Sequence, residues 1–549
     1  MQNTPAHPLR PARTPFRMVV FALLLSVSGF FPPAVIGAEA GIADDTLELR
    51  FDVPAGVVST WRLPGIEARE GGKRDLALPA RQQFMLDGEI AGQSMARWVN
   101  VAGGWEVHAQ SDEELSLRLA PPAAPFVLYK HWRVGENNWR VSLDIRLEAA
   151  DAAVLSADDI DLSLVLGPGL GEVPIEGFGI AAGMYSFTEV ILSEAGNVVR
   201  ERLAEDDGSL VVEPRDALAW AGLHSRYFAL VLAPAEGVPV TRMRIDAQPR
   251  NELPPEFTTR LHVELPFGEL AGGESQTLAW RVFGGPKSHA ALTTAEPDLG
   301  DMLFPGLWNW MRWLALGIMF VLGLIHSVIP SWGLAIILLA VVVRILVHPV
   351  ARNAMQAQKR FARIQEIMRP ELDEIRRNYK GGEQSERILQ LYEKHQISPL
   401  AGLKPLLIVL IQIPVFVALF HLLGQVFELR DASFLWMSTL AEPDRLFSWG
   451  VDLPFFGTHF NLLPVVMAVT TMLSIKLAPA PASDNRSALR QNIMMVLMTL
   501  AFFLLFYPFP SGMVLYWTMA NVLHLAHGLV TNRKSDTGDA AASDEAGRG

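Results

Sequence analysis

An arginine interrupts a long apolar segment in the second half of the chain. Arg344 lies in the run Gly333–His348, whose other residues are almost all apolar. An arginine at the centre of a membrane helix costs about 2.5–3.5 kcal/mol on insertion scales and about 10–17 kcal/mol in simulations. Two interpretations remain open: Arg344 snorkels to the membrane interface, or it faces a polar cavity within the bilayer. We prefer the cavity because polar residues recur in the later apolar segments.

Those later segments carry hydroxyl, amide and phenol side chains. The candidates for lining the same cavity, with Trp517 as an amphipathic wall, are Gln412, Thr470, Thr499, Tyr516, Thr518 and Asn521. Polar side chains in membrane helices also hydrogen-bond neighbouring helices. Helix packing therefore remains the alternative for each of them.

The sequence contains no common motif for metal or nucleotide chemistry. There is no His-Glu-x-x-His, no P-loop and no cysteine, so disulfides and thiolate sites are excluded. We interpret His524 and His527, near the end of the last apolar segment, as interfacial residues and not as metal ligands. We therefore expect no cofactor, no metal and no nucleotide hydrolysis.

Length and composition predict a mixed chain. The chain has 549 residues, which is too long for one domain. Half of its residues are hydrophobic and 14 are Trp, which indicates a membrane part combined with a soluble part. The formal net charge of −12 argues against direct nucleic-acid binding, because no broad basic surface is available for phosphates.

The N-terminal segment, 1–40, has the features of an export signal. Arg10, Arg13 and Arg17 precede the apolar stretch Met18–Phe31, and small residues follow Pro32-Pro33. This pattern is typical of a cleavable signal peptide, which we prefer, although an uncleaved anchor remains open. In both cases the chain from about residue 41 should be exported.

The exported part, 41–300, shows strand periodicity. In the segment Trp139–Leu147, apolar residues alternate strictly with polar ones. The alternation returns at 46–53, 260–265 and 277–282, and the segment 227–232 is a fuller apolar run. Short strands separated by Gly/Pro turns predict an antiparallel all-β sandwich.

Residues 301–331 begin the second half. Trp308, Trp310 and Trp313 precede an apolar run, which predicts an interfacial amphipathic helix with an aromatic belt. The helix could instead span the membrane. A second span would carry the basic segment that follows to the exported side, which the positive-inside rule disfavours.

A basic segment, 349–403, follows the predicted transmembrane helix 332–348. Apolar residues at helical spacing on both sides of Gly381-Gly382 predict a cytoplasmic helical hairpin with one apolar seam. A solvated charged coil is the alternative. The candidate contact residues on the hairpin are Lys359, Arg360, Arg363, Arg376 and Arg377.

Four further apolar segments complete a polytopic α-helical membrane core. With 332–348 they give five core transmembrane helices, and the basic residues place the C-terminus inside. The predicted order is a helix at 404–424, a periplasmic loop at 425–461, a helix at 462–478, a cytoplasmic loop at 479–492, helices at 493–508 and 513–530, and a disordered cytoplasmic tail at 531–549.

Several short strings in this order resemble the YidC family of membrane protein insertases, of the Gram-negative type with a large periplasmic domain. They cover about 305–533 and are Ser331-Trp-Gly, Val343-Arg344, His348-Pro349, Ser398-Pro-Leu-Ala-Gly402, Gln412-Ile-Pro-Val-Phe-Val-Ala-Leu419, Phe509-Pro-Ser-Gly-Met-Val-Leu-Tyr-Trp517 and Asn521. Weaker similarity lies in Arg226-Tyr-Phe-Ala229 and Phe283-Gly-Gly-Pro-Lys287. One departure is Ala340, where the family often has a hydroxyl residue.

The resemblance implies a hydrated intramembrane groove that is open to the cytoplasm and lipid and closed toward the periplasm. Its one arginine would be Arg344, and Gln412, Tyr516, Trp517 and Asn521 would line it. The implied activity is insertion and folding of newly made inner-membrane proteins, alone or with the Sec translocon, without covalent chemistry. Other implied partners are the lipid bilayer, with the ribosome and the signal-recognition-particle receptor as further candidates.

Two other classes of function remain as alternatives. A transporter or channel would also need polar groups within the membrane, but it usually shows paired repeats, and none is evident here. A tethered carbohydrate-active enzyme would need convergent carboxylates. The acidic clusters Asp206-Asp207 and Asp112-Glu113-Glu114 are more typical of solvated turns.

Overall fold

A computed structural model gives the fold. It describes residues 39–67, 73–76, 83–135, 139–170, 187–203, 208–235, 238–247, 258–394, 406–476 and 485–526. The predicted signal or anchor lies outside these residues except for Glu39 and Ala40, which begin the first strand. The predicted tail at 531–549 and the Asp206-Asp207 turn also lie outside the described residues.

The described strands of the first half form three antiparallel sheets. The four-stranded sheet contains β1 Glu39–Ala43, β2 Glu48–Asp52, β3 Val57–Glu67 and β4 Lys73–Asp75 in that order. The six-stranded sheet contains, in spatial order, β14 Ser209–Val212, β17 Met243–Ala247, β18 Thr259–Glu264, β11 Ile160–Leu166, β5 Met85–Ile90 and β6 Gln93–Ser94.

The largest sheet has nine strands among the described residues. In spatial order they are β13 Asn197–Glu201, β12 Thr188–Glu194, β15 Leu218–Ser225, β16 Phe228–Pro234, β19 Ser275–Pro286, β10 Arg140–Ala149, β9 Phe126–Val134, β8 Glu114–Leu119 and β7 Glu106–Gln110. A separate hairpin, β20 Phe447–Leu453 and β21 Gly457–Phe460, lies in the second half.

The alternation of apolar and polar residues explains the central strand β10. Val141, Leu143, Ile145 and Leu147 are buried, as period two requires for one face of a strand. Leu143 is opposite Trp132 on β9 and Trp280 on β19, and all three belong to the same core. Inward-facing residues of the six-stranded sheet, such as Leu164, join this core. The prediction of a β-sandwich is confirmed.

The described helices divide between the sandwich and the second half. The sandwich and its exit carry α1 Met95–Ala102 and α2 His289–Ala295. The second half contains α3 Asn309–Val328, α4 Trp332–Asn378, α5 Gly382–Lys394, α6 Leu406–Gln425, α7 Leu462–Lys476, α8 Asn485–Phe506 and α9 at 511–526.

Two stretches of the described chain are long and apolar enough, by length and composition alone, to cross a membrane. They are Asn309–Val328, which is all of α3, and Trp332–Pro349 at the start of α4. Shorter apolar stretches are Gln412–Gln425, Leu462–Lys476 and Asn492–Phe506. The interfacial position that we predicted for α3 therefore stays a prediction, as does the set of five spans.

Helix α4 is continuous for 47 residues, from Trp332 to Asn378. The boundary that we predicted between 348 and 349 is not a break in the helix, because α4 passes through both Pro349 and Pro370. Gly381, with a φ of 67°, lies in the turn that leads to α5. Met368, Leu372 and Leu391 form a small buried core between the two helices, so the predicted apolar seam is confirmed.

Candidate functional site

Arg344 continues the packed face of α4. Ala335, Ile336, Leu339 and Ala340 are at most 2% exposed, and they recur at the spacing of one helix face. Arg344 is four residues after Ala340 and so extends this stripe, and its side chain is partly buried. Ile345 and Leu346, which follow it, are more than 60% exposed. The arginine therefore lies on the side of α4 that faces other helices.

The guanidinium of Arg344 has a partner on α9. Its Nη2 lies 2.8 Å from Nδ1 of His524. Arginine can only donate hydrogen bonds, so Nδ1 must be the unprotonated acceptor of the imidazole. We had interpreted His524 as an interfacial residue, and the structure adds this contact.

Helix geometry explains why these two residues meet. Arg344 is twelve residues after the start of α4, roughly 18 Å along the helix, and His524 is thirteen residues after the start of α9, roughly 20 Å along it. Both helices begin at the end of the helical region that contacts the loop at 434–442. Counting residues from the two helix starts would have predicted the contact of Arg344 with His524 only if both starts were known to lie at the same depth in the helical region.

Asn521 connects α9 to α7. Its Nδ2 donates to Oγ1 of Thr471 at 2.6 Å, and its carbonyl oxygen accepts from Oγ of Ser474 at 3.2 Å. Thr518 on α9 donates to the carbonyl of Val514, one turn earlier, at 2.7 Å. The contacts of Asn521 are those of helix packing, the alternative that the sequence left open, whereas the hydroxyl of Thr518 bonds within its own helix.

Tyr516 and Trp517 lie deeper between the helices. Tyr516 is 6% exposed and is within electrostatic range of Arg344. The ring of Trp517 packs against Phe416 of α6 and Phe506 of α8, with centroids 5.3 Å apart in both pairs. Gln412 is partly buried and lies one turn before Phe416 on α6, so it is on the same helix face. The structure thus brings Tyr516 near Arg344 and places Trp517 in an aromatic cluster.

The ends of α7 and α9 near the sandwich are closed by hydrogen bonds. The Ser511 amide donates to the Glu442 carbonyl at 2.7 Å, and the Gly512 amide donates to the Leu440 carbonyl at 2.8 Å. One Asp444 carboxylate oxygen accepts from the amides of Leu462 and Leu463 at the start of α7, at 2.8 and 2.9 Å.

The glycine at the start of α4 is in tight contact with the same loop. A Cβ at Gly333 would come within 2.1 Å of the Phe434 ring. Any side chain at this position would therefore push the loop away from α4. By contrast, His524, at the other end of the helical region, is exposed. Arg344 is therefore closer to solvent on the side away from the sandwich.

The hairpin candidates lie at some distance along α4. Arg363, Arg376 and Arg377 are exposed, whereas Lys359 and Arg360 belong to α4 with side chains outside the described ones. Lys394 of α5 forms a 2.9 Å ion pair with Glu371 of α4, and the Arg387 guanidinium lies 3.9 Å above the Tyr379 ring. These contacts hold α5 against α4 and leave Arg363, Arg376 and Arg377 exposed.

Comparison with known proteins matches the second half to a named family. The sequence profile of the family described as 60Kd inner membrane protein matches residues 324–538. A protein of Syntrophobacter fumaroxidans named "Membrane protein insertase YidC" is 32% identical over 341 residues, covering 61% of this chain and 57% of that protein. Over this region the chain is similar to the YidC family of membrane protein insertases. The resemblance drawn from the motifs is thus confirmed.

A second curated relative carries the same name. A protein of Janthinobacterium sp. with the same name is 29% identical over 320 residues, covering 57% of this chain and 52% of that protein. The chain therefore spans about half the length of these curated YidC relatives. A solved structure entitled "Active YidC insertase crystal structure with the first transmembrane domain resolved" covers 93% of this chain and 97% of its own at 17% identity, with a TM-score of 0.33.

Proposed function

We propose that this protein is a membrane protein insertase and chaperone of the bacterial inner membrane. In this proposal the start of α4, with α6, α7, α8 and α9, forms five core transmembrane helices. The sandwich is periplasmic and the hairpin and C-terminus are cytoplasmic. The match of residues 324–538 to a family described as an inner membrane protein supports the location.

The observation that carries the proposal is the position of Arg344. It is on the packed face of α4 and is partly buried. At the sandwich-side ends of the helices, the amides of Ser511 and Gly512 donate hydrogen bonds to the loop, and the Asp444 carboxylate accepts hydrogen bonds from the start of α7. A cation with solvent access from one side only fits a groove that opens to the cytoplasm and ends within the membrane.

Such a groove shortens the apolar path for a polar segment. The hydrocarbon core is about 30 Å thick, and Arg344 is roughly 18 Å from the sandwich-side end of α4. If water reaches Arg344, only the part of the hydrocarbon core between Arg344 and the sandwich-side end of α4 is free of water. The substrate's apolar helix then moves sideways into lipid, driven by burial of its apolar surface. No bond is made or broken in this process.

Before a substrate arrives, His524 accepts the hydrogen bond from Nη2 of Arg344. A neutral imidazole is a weaker acceptor than a carboxylate, because a carboxylate carries a full negative charge and can accept two parallel hydrogen bonds from a guanidinium. An acidic residue of the translocating segment would displace His524 from Nη2 of Arg344 and would leave again once it reached the far side. Gln412, Tyr516, Trp517 and Asn521 would form the walls of the groove.

The proposed partners follow from this arrangement. Nascent membrane proteins and the lipid bilayer meet the groove directly. The exposed arginines of the hairpin could meet the ribosome or the signal-recognition-particle receptor, and the Sec translocon is a partner for cooperative insertion. Direct binding of nucleic acid is not part of the proposal, because the formal net charge is −12.

Insertion into liposomes that contain only this protein tests the proposal. The substrate is a small single-span protein with an acidic exported tail, no nucleotide is added, and protease protection of the tail is measured. Protection well above that in empty liposomes is expected. Protection equal to that in empty liposomes would contradict autonomous insertion. A matched substrate with a neutral tail separates the effect of the arginine from apolar partitioning.

A further inference from the structure

A polar cleft of about 680 Å³ lies where the sandwich meets α6. From the sandwich it is lined by Glu189, Arg200, Arg202 and His224, and from α6 by Phe420 and His421. Glu189 on β12 is directly opposite His224 on β15, and Arg200 and Arg202 come from the end of the edge strand β13. The cleft is separate from the Arg344 site, which is near the other end of the helical region.

A series of polar contacts determines which imidazole nitrogen of His224 carries the proton. Lys287 is buried, and its Nζ lies 3.1 Å from Nδ1 of His224 and donates to the Ser225 carbonyl at 2.9 Å. Because an ammonium group only donates, Nδ1 of His224 is the acceptor and Nε2 carries the proton. Burial, with Lys287 and Arg200 nearby, keeps the pKa of His224 well below its usual value. The imidazole is therefore neutral and directs an N–H toward the cleft.

Two atoms in this buried series of contacts lack a hydrogen-bond partner among the described residues. They are Nε2 of His224, whose residue is 1% exposed, and Oε2 of Glu189, whose residue is 9% exposed. The two atoms are 3.7 Å apart, too far for a hydrogen bond. Buried polar atoms are normally satisfied, so a ligand or water in the cleft should supply the missing contacts.

The two arginines share one carboxylate. Arg202 Nε is 3.3 Å and Arg200 Nη1 is 3.8 Å from Glu189, while the two arginine side chains are 49% and 45% exposed. Each guanidinium has five N–H donors in a planar fork that fits phosphate oxygens. One carboxylate neutralises only one of the two cations, so positive charge remains for an anion.

The position of the cleft indicates the source of that anion. Arg200 Nη2 would lie 3.0 Å from a Cβ at Gly306, so the guanidinium is against the backbone just before α3. Trp308, Trp310 and Trp313, which follow, are 53–71% exposed. Exposed tryptophans of this kind are enriched at the headgroup level of a bilayer.

We propose that this cleft binds the phosphate of an anionic phospholipid from the leaflet on the sandwich side. Arg200 and Arg202 hold the phosphate oxygens, the Nε2–H of His224 donates to the headgroup, and Phe420 contacts the glycerol end. Glu189 fixes the orientation of both guanidinium groups. The bound lipid joins the sandwich to α6 and to the start of α3. This role is independent of the insertase activity.

Native mass spectrometry of the full chain, released from detergent, tests the proposal. The protein is titrated separately with phosphatidylglycerol, phosphatidylcholine and inorganic phosphate. The variant Arg200→Gln/Arg202→Gln is expected to bind phosphatidylglycerol at least ten-fold more weakly than the wild type. The matched control is Arg50→Gln/Arg146→Gln, since these arginines are similarly exposed and each pairs with one glutamate. The control should bind as the wild type does.

The outcomes of this experiment distinguish a lipid from a free anion and from a protein as the ligand of the cleft. Equal phosphatidylglycerol binding by wild type and double variant overturns the site. Inorganic phosphate that binds as tightly as the lipid, and that requires the arginines, overturns the lipid source in favour of a free anion. An acidic peptide that binds in an arginine-dependent manner while phosphatidylglycerol does not would overturn it in favour of a protein ligand. If the double variant unfolds, the single variant Arg202→Gln, expected to bind about three-fold more weakly, takes its place.

Discussion

Arg226 of the sandwich donates from Nε to the Gly424 carbonyl at the end of α6, at 2.7 Å. Its Nη2 donates to the Ala441 carbonyl, also at 2.7 Å, and the residue is 1% exposed. Nearby, Arg430 Nη2 donates to the Glu67 carbonyl of β3 at 2.6 Å. Charged donors from both sides therefore fix the sandwich to the sandwich-side ends of the helices.

Replacing Arg226 should loosen this junction. Arg226→Met removes two charge-assisted hydrogen bonds, each of which contributes about 1.5–3 kcal/mol, and leaves buried carbonyls without donors. We expect the free energy of unfolding of the full chain in detergent to fall by about 3–6 kcal/mol. Chemical denaturation measures this, with the exposed Arg133→Met as control. A loss no larger than that of the control would contradict the role of Arg226.

Arg344 should matter most for substrates with acidic translocated segments. Arg344→Ala is expected to reduce their insertion about ten-fold, because one lost charge contact of this kind corresponds to about 1.4 kcal/mol. Arg344→Lys should retain much of the activity, since a point charge suffices. Insertion of neutral-tail substrates into liposomes serves as the control. Equal activity of all three forms would contradict the charge mechanism.

His524 provides an independent test of the same site. His524→Glu would give Arg344 a permanent ionised partner, so acidic tails could no longer compete for it. Insertion of acidic-tail substrates should fall several-fold, whereas His524→Gln, which keeps an acceptor, should resemble the wild type. His108→Glu on the exposed face of the sandwich is the control for added charge. Unchanged insertion by His524→Glu would argue against displacement of the histidine.

The hairpin should contribute more to insertion than the C-terminal tail. Deletion of 364–391 removes the seam formed by Met368, Leu372 and Leu391 together with the exposed arginines that could meet a partner. Deletion of 536–549 removes only an acidic segment. The effect of each deletion is measured as the insertion of ribosome-bound nascent chains. If only the tail deletion reduces insertion, the contacts with the partner must be assigned to the tail.

Acid should destabilise the sandwich at Asp246. Burial would raise the pKa of this carboxyl, but hydrogen bonds from His262 and Arg260 outweigh it and lower the pKa to about 2. The folded-state pKa is below the unfolded value, so this stabilisation is present above pH 4 and is lost as the pH falls toward 2. We expect about 1–2 kcal/mol, measured by denaturation between pH 5 and pH 2.

The variant Asp246→Asn is the matched comparison for this pH dependence. It should be less stable than the wild type at neutral pH and should lose less stability on acidification. The exposed pair of Glu114 with Arg133 should contribute little, because solvent screens surface ion pairs. Parallel acid curves for wild type and Asp246→Asn would contradict the assignment.

Local pattern predicted much of the fold. Period-two alternation identified β10, and helical spacing with Gly381-Gly382 identified the seam of the hairpin, because both depend on near neighbours in sequence. Helix α4 continues through both Pro349 and Pro370, because removing one backbone hydrogen bond need not end a helix that neighbouring residues sustain.

Pairings between distant residues could not be predicted. The contact of Arg344 with His524 spans 180 positions and that of Arg226 with Gly424 spans 198. Both depend on how helices and sheets are placed in three dimensions, which no local spacing encodes. Arg226 stood in a family string, but its role requires the Gly424 carbonyl. Arg200 and Arg202 had no signal in the sequence beyond being charged residues at the end of a strand.

The unbroken helix α4 has a mechanical consequence. At 1.5 Å per residue its 47 residues extend roughly 70 Å, with Arg344 about a quarter of the way along and the hairpin at the far end. A partner that pushes sideways on the hairpin acts on a long lever arm, and the packed sandwich-side end serves as the fulcrum. A partner that docks on the hairpin is therefore expected to tilt the segment that carries Arg344 without touching the arginine.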